Sequence, residues 1–204
     1  MSSSVTVLQE GYSRWKVKDM SMYACGTATL VQSGGKSILV DTLGPFDRDK
    51  LVKLLADRKL HPDNISIVVG THNHTDHIGN LNLFIKCDHY VGDQKSRGDY
   101  FEFDVFKDHT YKDFYLTDNV RLFSTPGHTE NCVSVVVEKV DKLDTVGVVG
   151  DLFESGEDVK DESLWLEAGS VDPDEQRKNR ERIYSYCDYI VPGHGGMFKA
   201  CKPM

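Results

Sequence analysis

Short apolar runs separated by turn-forming and charged residues recur along most of this chain. Alternating apolar and polar positions predict strands at 6–10 and 28–32, and the unbroken run Ile38-Leu39-Val40 predicts a buried strand over 37–41. From Asp47 the period changes. Leu51, Leu54 and Leu55 recur at helical spacing, which predicts a helix to Arg58 with Asp47 as its cap. The run Ser66-Ile67-Val68-Val69-Gly70 predicts another buried strand, then a polar loop and a short helix on which Ile78, Leu81 and Phe84 share a face. Further strands are predicted at 120–124, 133–138, 145–150 and 189–191. A second helix begins at Asp172, where Pro173 suits the first turn and Glu175 completes a capping-box pattern. The aromatic and charged stretch 94–115 has no clear period and predicts no element. Strands followed by strands with helices between them predict a mixed α/β fold, sheets flanked by helices, as one folding unit over 1–204.

Composition narrows the classes without choosing among them. The chain has 204 residues, 39% of them hydrophobic and 27% charged, which is ordinary globular usage and argues against disorder. No apolar run reaches the ~18 residues that a membrane span needs, and the opening MSSSVTVLQE lacks the pattern of a secretory signal. The net charge of −8 argues against a surface made for unspecific grip on nucleic acid or anionic lipid. The five cysteines form no Cys-x-x-Cys pair, so free thiols in a reducing compartment are expected, with a cytoplasmic or nuclear rather than secreted location.

The histidines change the picture. His72, His74, His128 and His194 each fall just past the end of a predicted strand, as does Asp151. Strand ends gathered along one sheet edge are where open α/β folds place ligands. Thr71-His72-Asn73-His74-Thr75-Asp76-His77 packs three imidazoles and a carboxylate into six positions. Alternate residues of an extended strand end point the same way, so His72 and His74 can face one ion, while Asp76 and His77 turn with the chain toward a second. Imidazole and carboxylate without thiolate suit zinc or another borderline first-row metal better than calcium. Pro126-Gly127-His128 and Pro192-Gly193-His194 add imidazoles at sharp turns, and Gly147-Val148-Val149-Gly150-Asp151 ends a strand on a carboxylate. Asp41, at the end of Ile38-Leu39-Val40, is placed to hold the ligand loop by hydrogen bonds.

In this order the five segments resemble the metallo-β-lactamase superfamily, from about Ala28 to His194. The resemblance implies an αββα sandwich, two mixed sheets face to face with helices outside. It implies a first metal site at His72, His74 and His128, a second at Asp76, His77 and His194, and Asp151 as the carboxylate bridging two zinc ions. Asp76 and Asp151 are the expected catalytic carboxylates, Asp76 orienting the nucleophile and relaying a proton. VVGTHNHTDHIGNLNLF, STPGHT, GDLFE and VPGHG resemble members associated with endonucleolytic processing of histone pre-mRNA 3′ ends, which implies a phosphodiesterase with RNA as substrate. Two-zinc β-lactamases of this type commonly carry Cys where Asp151 stands, so antibiotic hydrolysis is not the expected main role. The short stretch after His194 leaves no room for the helical domain of glyoxalase II, and that between Asp151 and His194 none for the large insertion of RNA 3′-end nucleases. The alternatives are a glyoxalase II-like thioester hydrolase and a persulfide dioxygenase with one Fe²⁺ at the first site. A binding module has no evident use for a full ligand set.

Other residues have plainer readings. The acids Glu154, Glu157, Asp158, Asp161 and Glu162 read as a solvated loop. Arg177, Lys178, Arg180 and Arg182 can track phosphates, but at helical spacing they read first as a solvated face. Phe101, Phe103, Phe106, Tyr111 and Tyr115 read as core or homodimer packing ahead of base stacking. Cys132 reads as a buried thiol, and His89 and His109 have no partner visible in the sequence.

Overall fold

Successive residues of a strand face opposite ways, and that alternation layers this molecule. In the computed structural model, which describes residues 2–18, 20–109 and 112–201, Ile38 and Val40 enter one apolar cluster and Leu39 another. The first strands are β1 (Ser4–Gln9), β2 (Tyr12–Val17), β3 (Ser21–Cys25), β4 (Ala28–Ser33) and β5 (Lys36–Val40). Helix α1 (Arg48–Ala56), β6 (Ile67–Gly70) and the short α2 (Thr75–Ile78) follow. Then come β7 (Asp88–Val91), β8 (Gln94–Arg97), β9 (Tyr100–Glu102), β10 (Asp113–Thr117), β11 (Val120–Ser124), β12 (Val133–Val140) and β13 (Asp144–Gly150). Helices α3 (Glu162–Ala168) and α4 (Pro173–Tyr186) precede β14 (Tyr189–Pro192) and β15 (Phe198–Lys199).

Among the described residues one sheet has the order β1-β4-β5-β6-β7-β8-β9, the other β10-β11-β12-β13-β14-β15, and β2-β3 is a separate hairpin. Val31, Ile38, Val40, Ile67 and Val69 of the first sheet meet Leu122, Val133, Val135, Val137, Val146 and Val148 of the second. On the outer faces, Leu39 and Val68 pack with Leu51 and Leu55 of α1, and Val136, Val149 and Ile190 with Ile183 of α4. The result is the αββα sandwich. Full burial of each such aliphatic side chain contributes roughly 1.5–3 kcal/mol. No helix among the described residues is long and apolar enough to cross a membrane.

Three local expectations are revised. The helix carrying Ile78, Leu81 and Phe84 breaks after Ile78 and resumes as a 3-10 turn, Leu81–Leu83. Asn80 donates to the carbonyls of Thr42 and Gly44, and a Cβ at Gly79 would overlap the Gly44–Pro45 backbone, so the chain turns there to pack on that loop. Asp47 starts α1 without a side-chain cap bond; its Oδ2 accepts instead from Cys25 Sγ at 3.6 Å. Asp172 does cap α4, accepting from Glu175 N at 3.0 Å. The unassigned stretch 94–115 contains β8, β9 and the start of β10; Phe106 is core, Phe101, Phe103 and Tyr115 are exposed, and Tyr111 lies outside the described residues.

Candidate metal centre

Four strands of the two sheets end at the same edge, and their continuations converge. β6 leads to His72, β11 to His128, β13 to Asp151 and β14 to His194. The sheets are tied there by Val133 N donating to the Thr71 carbonyl at 2.8 Å. Close backbone approach is part of the design. Gly150 adopts φ +54°, and a Cβ there would overlap Thr71, while a Cβ at Gly193 would overlap Asp151 Oδ1.

Two groups of ligand atoms, each within 4.8 Å of one another, result: His72, His74, His128 and Asp151 in one, Asp76, His77 and His194 in the other. Asp151 sits between them. Its Oδ2 lies 3.5 Å from His72 Nε2, 3.4 Å from His128 Nε2 and 3.4 Å from His194 Nε2, and its Oδ1 lies 3.1 Å from His77 Nε2. Asp76 Oδ2 is 3.7 Å from Nε2 of both His77 and His194. Every residue expected as a ligand from the sequence is therefore brought to one place.

The opposite ring nitrogens are held by the protein. His77 Nδ1 donates to Asp41 Oδ2 at 2.7 Å, His128 Nδ1 to the Gly169 carbonyl at 2.8 Å and His194 Nδ1 to the Cys25 carbonyl at 3.2 Å. His72 Nδ1 lies 3.1 Å from Thr71 Oγ1, which itself donates to Asp41. In the neutral ring each bond fixes the tautomer that leaves Nε2 with its lone pair toward the centre. Asp41 reaches this position in the left-handed region, φ +58°, at a cost on the order of 1 kcal/mol that its three hydrogen bonds offset.

Among the described residues, buried His72 Nε2, His77 Nε2 and Asp151 Oδ1 have no hydrogen-bond partner. Leaving such atoms unsatisfied costs about 1–3 kcal/mol each, and a cation between them removes the deficit. His128 Nε2 and His74 Nδ1 approach to 3.2 Å, two ring nitrogens aimed at one point. The donor set, imidazoles and carboxylates with no thiolate, fits a divalent metal such as zinc. The protein without metal carries proton positive charge instead. Burial opposes charge on His77, but Asp151 and Asp41 outweigh it and push the imidazole well above its usual range. His194, likewise desolvated but beside Asp151, rises to about 9. Burial acts against Asp151 too, yet His77 and His194 hold its carboxyl well below the usual carboxylate range. His72, with burial dominant, is lowered well below the usual imidazole range.

A model of the metallo-beta-lactamase superfamily matches residues 26–194. The chain belongs to that superfamily. It is 37% identical over 199 residues to metallo-beta-lactamase domain-containing protein 1 of Xenopus laevis, covering 98% of this chain and 82% of the relative. The protein so named in Rattus norvegicus is 36% identical over 230 residues, covering 98% and 88%. Among solved structures, a candidate metallo-beta-lactamase of Thermotoga maritima superposes with TM-score 0.72 at 20% identity, covering 98% of this chain and all of that one. An N-acyl homoserine lactone hydrolase, solved with product bound at its catalytic metal center, gives TM-score 0.65 at 19% identity over 90% and 88% of the two chains. The chain thus has the fold and the His/Asp cluster of a metal-dependent hydrolase of the metallo-β-lactamase superfamily.

A cleft of about 590 Å³ opens beside the centre. Ser13, Trp15 and Met22 of the β2–β3 hairpin form one wall, Leu164 and Glu167 of α3 the other, and Glu154 and His194 lie at its inner end. Neither the hairpin nor Glu154 was visible in the sequence as part of a site. Glu154 and Asp158, read as solvated, are 7% and 2% exposed, because Asp158 accepts from Glu154 N and pairs with Arg180 at 2.8 Å. Burial, with Asp151 adding, raises the Glu154 carboxyl well above the usual carboxylate range. The signal available was position: Glu154 stands one turn beyond Asp151 in Gly150-Asp151-Leu152-Phe153-Glu154. The basic cluster is otherwise engaged. Arg180 is buried against Asp158 and the Leu152 carbonyl, Arg177 pairs with Glu162 and Asp174, and Lys178 with Glu175. His89 Nε2 bonds the Phe84 carbonyl and His109 stacks on Phe114, both away from the ligand set. Cys132 is buried, its thiol pushed up to about 11 by desolvation.

Proposed function

We propose that this chain is a di-zinc hydrolase that cuts phosphodiesters, with RNA as its substrate. One observation carries the two-ion reading: Asp151 lies within 3.5 Å of a ring nitrogen from each of two adjacent ligand groups, with buried unpaired atoms on both sides of it. His72, His74 and His128 would hold one ion, Asp76, His77 and His194 the other, and Asp151 both. Two bound ions supply a nucleophile from water near neutral pH and charge stabilisation for the attacking and leaving oxygens. Asp76, 23% exposed at the mouth of the site, orients the attacking water and takes its proton. Asp41 and the Gly169 and Cys25 carbonyls keep the imidazoles aimed while charge shifts at the centre. Support for RNA comes from the resemblance of the ligand segments to RNA-processing members of the superfamily.

The cleft favours a second reading of the substrate. Glu154, Glu157 and Glu167 line it with Trp15, Met22 and Leu164, and Arg14 is its one lysine or arginine. A polyanion meets the Glu157 and Glu167 carboxylates on that path, whereas the acyl part of an ester or thioester meets apolar wall. Metal-replete protein is incubated with labelled single-stranded and stem-loop RNA, a glutathione thioester and a persulfide, with Asp76→Asn as control. RNA cleavage by the wild type and not by Asp76→Asn supports the proposal. Equal RNA cleavage by both, with Asp76-dependent thioester turnover, replaces the phosphodiester with an acyl substrate.

A further inference from the structure

Beyond the seven expected ligands, one carboxylate is built into the same centre. We propose that Glu154 is a ligand of the second metal position, giving that position three carboxylates (Asp76, Asp151 and Glu154) beside His77 and His194. The ligand atoms of Glu154, Asp151 and His194 lie within 4.8 Å of one another, and Glu154 Oε2 is 3.9 Å from His194 Nε2. The side chain is 10% exposed, and among the described residues its carboxylate accepts no hydrogen bond. The carboxyl group lines the inner end of the cleft, next to the ligand atoms of Asp151 and His194, where a cation held by those two would meet it.

The backbone shows that this placement is held. Glu154 N donates to Asp158 Oδ2 at 2.7 Å, and the Glu154 carbonyl accepts from His194 N at 2.8 Å. The preceding Phe153 carbonyl accepts from Gly193 N at 2.9 Å. The segments carrying Asp151 and His194 are thereby stitched together with Glu154 between them. Arg180, the buried cation of this layer, is bonded to Asp158 and the Leu152 carbonyl. A third carboxylate makes the second position harder. Oxygen donors suit Mn²⁺ better than imidazole does, so this position takes Mn²⁺ alongside zinc, while the imidazole-rich first position keeps its preference for zinc.

The proposal rests on the two-ion reading, and the test separates the two. The full chain, stripped with chelator, is titrated calorimetrically with Zn²⁺ and with Mn²⁺ as wild type, Glu154→Gln and Glu154→Asp, the fold of each checked by circular dichroism. Wild type should take up two ions. Glu154→Gln should leave the first binding event unchanged and weaken the second about 10–100-fold, more for Mn²⁺ than for Zn²⁺, with partial recovery in Glu154→Asp. Should Glu154→Gln not fold, a weakened second event in Glu154→Asp supports the role of Glu154 by itself. A folded variant that binds both ions like wild type, with the same Mn²⁺ to Zn²⁺ ratio, overturns that role and leaves the two-ion reading standing. Uptake of one ion by wild type overturns both.

Discussion

At the level of single residues the centre is a balance between protons and metal ions. Metal binding requires neutral imidazoles, so His77 and His194 must each give up a proton that Asp151 holds in place. Metal affinity should therefore rise with pH across the range from the ordinary 6.5 of histidine to about 9, the value His194 reaches here. Calorimetric zinc titration in buffers of different ionisation enthalpy should show proton release that shrinks toward pH 9. Affinity that is flat over this range would contradict the assignment. The same shift sets stability without metal. A group whose folded pKa is raised stabilises the fold fully below its unfolded value and loses that contribution as pH rises through the folded one. The metal-free protein should lose stability between pH 6.5 and about 9, and the metal-loaded protein should not. Asp41 acts one bond further out. Asp41→Asn tolerates the left-handed backbone but loses the charge facing His77 and Thr71, and should lower metal affinity about 10–100-fold in a zinc titration.

Among elements, helix α4 and the loop after β13 decide what the basic and acidic runs are for. Charge at helical spacing reads as a solvated face, and for Arg177 and Lys178 that is what it is: Arg177 is half-buried, Lys178 exposed, and both are paired with acids at the surface. Arg180, three residues on, turns inward onto Asp158 and lies over the Phe153 ring at 4.0 Å. Removing one partner of a buried pair is far more damaging than removing a surface pair. Arg180→Ala should cost about 3–5 kcal/mol in denaturant unfolding. The double substitution Arg177→Glu and Lys178→Glu should cost about 1 kcal/mol or less. Comparable losses for the two would refute the division. Legibility differed for the same physical reason. The strands facing both layers, such as Ile67-Val68-Val69, announce themselves by unbroken apolar runs. The β2–β3 hairpin is exposed at every position of β2, so no buried face leaves an alternation to read. Strand β8 and the edge strand β9 likewise have no buried position. His-x-His-x-Asp-His could be read because its spacing is itself the chemistry; Glu154 could not, because its burial depends on a partner, Arg180, distant in sequence.

For the whole molecule, two sheets closing on one core bring β6 of one and β11, β13 and β14 of the other to a common edge. No single segment contains the centre, so it forms only when the sandwich does, and metal affinity becomes part of folding stability. Replacing His72, which is fully buried and faces Asp151, should then remove metal and stability together: His72→Ala should melt at a lower temperature than wild type only when metal is supplied. Both the chemistry and this coupling depend on two ions sharing Asp151. Elemental analysis of protein purified without chelator tests this most directly: about two zinc ions per chain are expected from the two ligand groups. A single iron per chain, with oxygen consumed during turnover, would contradict it.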